Sequence, residues 1–240
     1  MAHYDNFLKR DSGISKVGRW MVDRKNEEFL KLISYYHPKK LQKLKILEIG
    51  PGKGDMAKKC MEKNLDYTAI EANKTMSNNL KSKGIKVYNK TVPPINIKGN
   101  FDVIFMNQVF EHMENRTEAL TLFEECKNYL NEKGLLIISV PDIRYWKEDF
   151  FASDYTHSFP LSLYSLRQIY TDFGFEIKYA NVRTLIFKGK FFARSIKILT
   201  GFLYKLGIFR IIFKQKAYKI KNQGNASCIV IGKCQKVWTG

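Results

Sequence analysis

Apolar positions recur every three or four residues from about Ser15 to His37, with Val17, Trp20, Met21, Phe29, Leu32 and Ile33 on one side and Pro38 closing the stretch. That spacing predicts an amphipathic helix, because a turn of 3.6 residues gathers such positions on one face. Beyond it the pattern alternates. Short apolar runs at Leu44–Ile49, Asp66–Glu71, Ile85–Tyr88, Phe101–Met106, Gly134–Val140, Phe175–Val182 and Ala226–Cys234 read as strands. Helical stretches fall between them, ending near Asn64, then at about Lys74–Lys83, Arg116–Asn131 and Leu161–Phe173, the last stopped by Gly174. The Pro93-Pro94 pair opens a loop. Strands that alternate with helices of this length predict an α/β fold, with a mostly parallel sheet covered on both faces. Ligands of such sheets sit at the carboxyl ends of the strands, near the point where strand order reverses. Residues 186–221 break the alternation.

A chain of 240 residues is long enough for one substantial α/β domain with an appendage. Hydrophobic residues at 45% and aromatics at 14% exclude a disordered chain, which buries too little apolar surface to offset its ordering entropy. Charge divides the chain more sharply. Of 41 Lys and Arg, fourteen lie in residues 177–240, where there is no Asp or Glu. The remaining 27 face all 23 acidic residues, so a nearly neutral body carries a strongly basic C-terminal quarter. Cys60, Cys126, Cys228 and Cys234 have no CxxC spacing and suggest neither a disulfide framework nor structural zinc. Met1–Arg10 lacks the apolar region of a signal peptide, and no run reaches the length of a membrane span. The expectation is a reduced, cytoplasmic protein.

The densest chemical signal is Glu48-Ile49-Gly50-Pro51-Gly52-Lys53-Gly54, three glycines in five residues where a strand becomes a helix. Glycine there lets the backbone turn sharply and approach a ligand, and the helix beyond offers unpaired N–H groups. Glu71 follows 21 residues after Gly50, at the end of the second strand, where a carboxylate can accept both hydroxyls of a ribose. Taken alone, such a turn is equally a tight connection with no ligand. The spacing Glu48-x-Gly50-x-Gly52-x-Gly54 resembles motif I of the class I S-adenosylmethionine-dependent methyltransferases, and differs from the G-x-G-x-x-G dinucleotide fingerprint. The resemblance continues through Tyr67–Glu71, Phe101–Asn107 and Leu135–Pro141; it covers about residues 40–182 and resumes at the final strand.

That resemblance implies a Rossmann-like seven-stranded sheet with an antiparallel last strand. It divides the chain into an N-terminal helical cap (1–40), a cofactor-binding core (41–185), a basic amphipathic helical insertion (186–224) and the last strand (225–240). By position it implies that Glu48, Gly50, Pro51, Gly52 and Gly54 face the methionine part of S-adenosylmethionine and Glu71 the ribose. Ala72 and Met76 would lie against adenine and Asn107 beside the donor sulfur. After the third strand the run Asn89-Lys90-Thr91-Val92 departs from the usual acidic residue, leaving Asn89 as the candidate for the adenine amino group.

Methyl transfer is an in-line displacement, so the protein must mainly align nucleophile, carbon and sulfur; an oxygen nucleophile also needs its proton removed. Candidates for that role leave the fourth strand as Gln108-Val109-Phe110-Glu111-His112 and follow the fifth as Asp154-Tyr155-Thr156-His157, in a loop rich in aromatics. We take Glu111, His112, Asp154 and His157 as the catalytic candidates. Each has a plainer reading: Glu111 as a helix-start carboxylate, and either histidine as an ordinary packed or loop residue. The pattern also resembles small-RNA 2′-O-methyltransferases, in which E-x-x-E-H and a later His bind a divalent metal. Gln108 stands at the first carboxylate position, so Gln108, Glu111, His112 and His157 form the metal alternative with one charge fewer.

From Lys190 a helical wheel gathers Lys190, Arg194, Lys197 and Lys205 on one side, with Phe192, Ile196, Leu199 and Phe202 elsewhere. A basic face that attracts an anionic substrate ranks first, peripheral contact with the inner face of the membrane second, and nucleic acid third. The reading at this point is an S-adenosylmethionine-dependent O-methyltransferase. Resemblance to bacterial surface-glycan enzymes implies a sugar hydroxyl or phosphoryl-type oxygen on an anionic capsule or lipopolysaccharide precursor as acceptor. The alternatives are a metal-dependent RNA 2′-O-methyltransferase and a non-catalytic cofactor-binding partner protein. Nucleotide hydrolysis is disfavoured, since no G-x-x-x-x-G-K-[ST] loop exists.

Overall fold

A computed structural model describes residues 16–184, 187–188, 198 and 226–235. Helix α1 (Lys16–Tyr36) leads into β1 (Lys45–Ile49), α2 (Asp55–Glu62), β2 (Asp66–Ile70), α3 (Lys74–Ser82) and β3 (Lys86–Tyr88). Then come β4 (Phe101–Asn107), a 3-10 turn at Phe110–His112, α4 (Arg116–Tyr129) and β5 (Leu130–Pro141). Two short helices, α5 (Ile143–Trp146) and α6 (Asp149–Ser153), precede α7 (Leu163–Asp172), β6 (Phe175–Thr184), β7 (Phe187–Lys188) and β8 (Ser227–Cys234). Outside residues 186–224, each predicted element is present within a few residues of its expected ends. The expected seven strands gain one addition, the two-residue β7, which turns back on the end of β6.

The strands lie in the order β3-β2-β1-β4-β5-β8-β6-β7. Pairs from β3 to β5 are parallel, and β8 enters antiparallel between β5 and β6. Strand order therefore reverses between β1 and β4, where a doubly wound sheet opens a crevice for a ligand. Alternation along the strands explains how both faces are covered. Leu47, Ile49, Ile104, Met106, Leu136 and Ile138 pack with Phe123, Leu166 and Tyr170 of α4 and α7. Ile46, Val103, Phe105, Leu135 and Ile137 point the other way, onto Phe29, Leu30 and Ile33 of α1 and Ala57 of α2. Period-two alternation of this kind, apolar on both faces, is what a sheet buried on both sides requires.

The predicted N-terminal helix is thus part of one layer. Phe29 meets Phe105 edge to face at 4.8 Å between ring centroids. At the opposite edge of the sheet from the site, Asp102 accepts from the Lys45 backbone at 2.9 Å, Lys39 at 2.7 Å and Asn131 at 3.0 Å, tying the starts of β1, β4 and β5 together. Burial alone would raise the Asp102 pKa, but these donors bring it below the usual aspartate value. Of the expected basic insertion, only Phe187, Lys188 and Ile198 are described; the rest of residues 186–224 lies outside the described residues. No described helix is long and apolar enough to cross a membrane.

Candidate active site

Three strand ends meet at the reversal of the sheet. The turn after β1 places Gly50, Gly52 and Gly54 at φ +68°, +55° and +81°, in the left-handed region where a Cβ is strained. Their surroundings differ. A Cβ on Gly50 would stand 2.5 Å from Cγ2 of Val109, so the absent side chain lets the loop after β4 close against the turn. At Gly54 the clash would be with Leu80 of α3, at 2.3 Å. At Gly52 a Cβ would meet nothing within 4 Å, so this glycine borders open space and its backbone is approachable. Pro51 is buried beneath it.

Glu71, at the end of β2, leans over the same turn. Its carboxylate accepts from the Gly52 N–H at 3.1 Å and from the Asn73 N–H at 2.9 Å. Burial raises its pKa despite these two backbone donors. Asn73 caps α3 through Met76 N, which fixes the buried Met76 and the exposed Ala72 on either side of the cap. The Asn89 amide donates to the carbonyls of Glu71 at 2.8 Å and Ala72 at 3.1 Å, so it braces the segment expected to meet adenine. Glu48 lies deeper. It is buried, accepts from the hydroxyl of Tyr67 on β2, and is pushed by burial up to about 8. Its place is underneath the turn. The open Gly52, the Glu71 carboxylate beside it and Asn107 at the end of β4 fit an adenosyl cofactor laid across β2, β1 and β4.

A second cluster hangs over the carboxyl ends of β4 and β5. His112 Nδ1 lies 2.8 Å from Thr156 Oγ1, and that hydroxyl donates to Asp154 Oδ1 at 2.7 Å. A hydroxyl has one proton to give, so His112 Nδ1 is the donor and Nε2 carries the lone pair. Asp154 also accepts from the Thr156 N–H at 3.0 Å. Burial pushes its pKa up, but the two Thr156 bonds and the nearby His112 and His157 rings bring it below the ordinary value. His157 packs 4.8 Å from His112 between ring centroids, and its Nδ1 lies 2.6 Å from the Phe150 carbonyl, which can only accept. Both imidazoles are thereby held as the tautomer that presents Nε2.

Glu111 completes the cluster. It is 1% exposed, neither carboxylate oxygen has a hydrogen-bond partner among the described residues, and burial raises its pKa to about 8. One ligand-type atom from each of Glu111, His112 and His157 falls within 4.8 Å of the others. Gln108 is turned otherwise: at φ +59° its amide nitrogen donates to the Ser139 carbonyl at 3.3 Å and to Ser227 Oγ at 3.5 Å. The amide is thus engaged with the ends of β5 and β8.

Several residues that sequence reasoning missed hold this arrangement. Thr156 is the link between His112 and Asp154; the Asp-x-Thr spacing of an Asx-turn was its signal. Asp142, fully buried after β5, accepts from Arg144 N and Leu163 N at 3.0 Å each and so closes both ends of the loop that bears Asp154 and His157. Backbone N–H groups of Ser158 and Phe159 bond the Glu111 carbonyl, at 3.1 and 3.0 Å, fastening that loop to the 3-10 turn. Lys25 of α1 donates to Asn107 Oδ1 at 2.9 Å, and burial, with Arg183 nearby, lowers its pKa to about 8. No local sequence signal marks Lys25, whose partner lies 82 residues away.

Similar proteins carry the same architecture. A SAM-dependent methyltransferase from Archaeoglobus fulgidus superposes with a TM-score of 0.62 at 16% identity, over 96% of this chain and 99% of that one. The N-methyltransferase NodS from Bradyrhizobium japonicum gives 0.59 at 11% identity, over 90% and 97%. The cyclopropane synthase MmaA2 from Mycobacterium tuberculosis gives 0.59 at 12% identity, over 87% and 84%. At such identities the likeness speaks for the fold. Among curated proteins none matches the chain in sequence. A family profile described as a methyltransferase domain matches residues 21–180, two-thirds of the chain and the span that holds both clusters. The chain belongs to the class I S-adenosylmethionine-dependent methyltransferase family.

Proposed function

We propose that this methyltransferase moves a methyl group from S-adenosylmethionine to an oxygen of an anionic acceptor, a sugar hydroxyl or phosphoryl-type oxygen of a capsule or lipopolysaccharide precursor. When bound, the cofactor supplies an electrophilic methyl carbon on a sulfonium sulfur. The Gly50–Gly54 turn and Glu71 would hold its amino-acid and ribose ends, and Asn107 would border the sulfur. The observation that carries the oxygen assignment is the chain from His112 Nδ1 through Thr156 to Asp154. An alcohol must lose its proton as its oxygen bonds to carbon. His112 Nε2 takes that proton, and Asp154, kept ionised by its donors, stabilises the resulting imidazolium through Thr156. Unlike an alcohol, an amine can attack as a neutral nucleophile and needs no such base at the moment of attack. The overall charge of +18 favours an anionic acceptor.

Replacing His112 by Ala tests this. Labelled-methyl transfer to a panel of sugar phosphates and nucleotide sugars is expected to fall about a hundredfold or more, with S-adenosylhomocysteine affinity near normal. Undiminished transfer, or label found on nitrogen, contradicts the base assignment.

A second reading has its own observation. The unpartnered Glu111 carboxylate and the two Nδ1-anchored histidines form the kind of donor set that binds a divalent cation, with the anchors acting as supporting hydrogen bonds. Glu111, His112 and His157 would then hold the metal, which supplies a Lewis acid for the acceptor oxygen. This reading revives an RNA 2′-hydroxyl as acceptor. Calorimetric titration with manganese separates the two: binding lost in His157→Ala favours the metal, and no binding favours the histidine base. A non-catalytic cofactor-binding role predicts S-adenosylhomocysteine binding with no methyl transfer by the wild type and no manganese binding.

A further inference from the structure

Next to Asn107 the face of the sheet under α1 changes from apolar to polar. Phe105, Ile137 and Ile229 belong to the α1-side core. Two residues further toward the strand ends, that face carries Asn107 on β4, Ser139 on β5 and Ser227 on β8, with Arg183 on β6 paired directly to Ser227. Alternation puts these side chains on the side that Phe29 and Leu30 of α1 cover. α1 contributes Lys25 and Glu28 to the same place. Arg183 Nη2 donates to Glu28 Oε2, and the Arg183 guanidinium stacks 5.2 Å from the centroid of Phe29, whose ring also lies 5.7 Å from Lys25 Nζ.

Both cations keep donor groups with no hydrogen-bond acceptor among the described residues. Arg183 is 7% exposed, yet its Nη1 has no hydrogen-bond partner among the described residues. Lys25 has three ammonium protons, and its one hydrogen bond among the described residues goes to the neutral oxygen of Asn107. Arg183 and Lys25 are thus two buried cations close enough to act on each other, with Glu28 bonded to Arg183 and the buried Glu111 the carboxyl group that acts on Lys25. A buried guanidinium nitrogen left without an acceptor costs about 1–3 kcal/mol or more, so an acceptor group that reached it would stabilise the arrangement.

We infer that Lys25 and Arg183 form an anion subsite for the methyl acceptor, binding a carboxylate or phosphate group of that molecule between α1 and the ends of β8 and β6. This rests on the methyltransferase reading and deepens it. Lys25 is hydrogen-bonded to Asn107, the residue expected beside the donor sulfur, so an anion held by Lys25 fixes the acceptor within reach of the methyl carbon. Planar Arg183 suits a two-oxygen contact through Nη1, while Lys25 adds a point charge that does not depend on orientation. Neutral amines and unsubstituted lipid chains would leave both donors unpaired, so the subsite selects for acceptors that carry an acid group.

The subsite is tested without knowledge of the acceptor or of turnover. Inorganic phosphate and acetate are titrated calorimetrically into the full chain, saturated with S-adenosylhomocysteine, at fixed ionic strength. The expected result is one phosphate or acetate site per chain, weakened about tenfold or more in Lys25→Met and in Arg183→Lys, both still melting cooperatively. The stronger of the two anions names the acid group. Equal binding by wild type and Lys25→Met would show the anion resting on the basic surface and would overturn the subsite, as would an absence of binding in wild type. Because the readout is binding, its failure leaves the His112 assignment standing, and loss of the His112 assignment leaves the subsite standing.

Discussion

Single side chains here carry opposite kinds of electrostatics. Asp154 is kept ionised by donors, whereas Glu48 and Glu111 are kept protonated near neutrality by burial. Glu48 yields a stability prediction with a definite sign. Its folded pKa, about 8, exceeds the model-peptide value of 4.5, so between those values the folded state holds a proton that the unfolded state has released. Stability is full below the unfolded pKa and declines as pH rises toward 8. Glu48→Gln, which keeps an acceptor for the Tyr67 hydroxyl without an ionisable proton, is expected to flatten that decline between pH 5 and 8. Thermal melting across the range checks this, and a variant as pH-sensitive as the wild type would place the titration elsewhere. Asp102 has the reverse sign: its folded pKa is lowered, so its contribution is present above the unfolded aspartate value and is lost as pH falls through the folded one.

At the scale of elements, the site is two loops fastened to each other. The segment from Asp142 to Leu163 bears the His112 partners, and Asp142 bonds the backbone at both its ends. Asp142→Ala is expected to destabilise the protein by about 1–3 kcal/mol, since the buried Leu163 N–H and the part-buried Arg144 N–H lose their acceptor. It should also lower methyl transfer while S-adenosylhomocysteine affinity holds, because the cofactor crevice is built from other strands. Denaturant melts together with a binding titration separate the effects; lost cofactor affinity would mean that the loop supports the glycine turn as well. The strands and helices were legible in the sequence because each is marked by alternation or by three-to-four periodicity, and Gly50–Gly54 because a left-handed turn demands glycine. The link from His112 to Thr156, the bond from Asp142 to Leu163, and the roles of Lys25 and Arg183 were not, since they arise from contacts between segments far apart in the chain. For Glu48, a motif residue expected at the ligand, the structure adds burial and a bond from the Tyr67 hydroxyl that the motif alone did not reveal.

Over the whole molecule, chemistry is concentrated where strand order reverses and at the strand ends beside it. The glycine turn, Glu71 and Asn107 stand at the ends of β1, β2 and β4, the histidine cluster follows β4 and β5, and the proposed anion subsite adjoins β8 and β6. Glu71 is the residue on which the cofactor end depends, since its carboxylate bridges the Gly52 and Asn73 N–H groups across β1 and β2. The most direct test of the account is calorimetric titration of the chelator-treated chain with S-adenosylhomocysteine, beside Glu71→Ala. One site per chain, without added metal, and weakened about tenfold or more by the substitution is the predicted result. No binding by the wild type, or equal affinity in the variant, would contradict the placement of the cofactor across these strand ends.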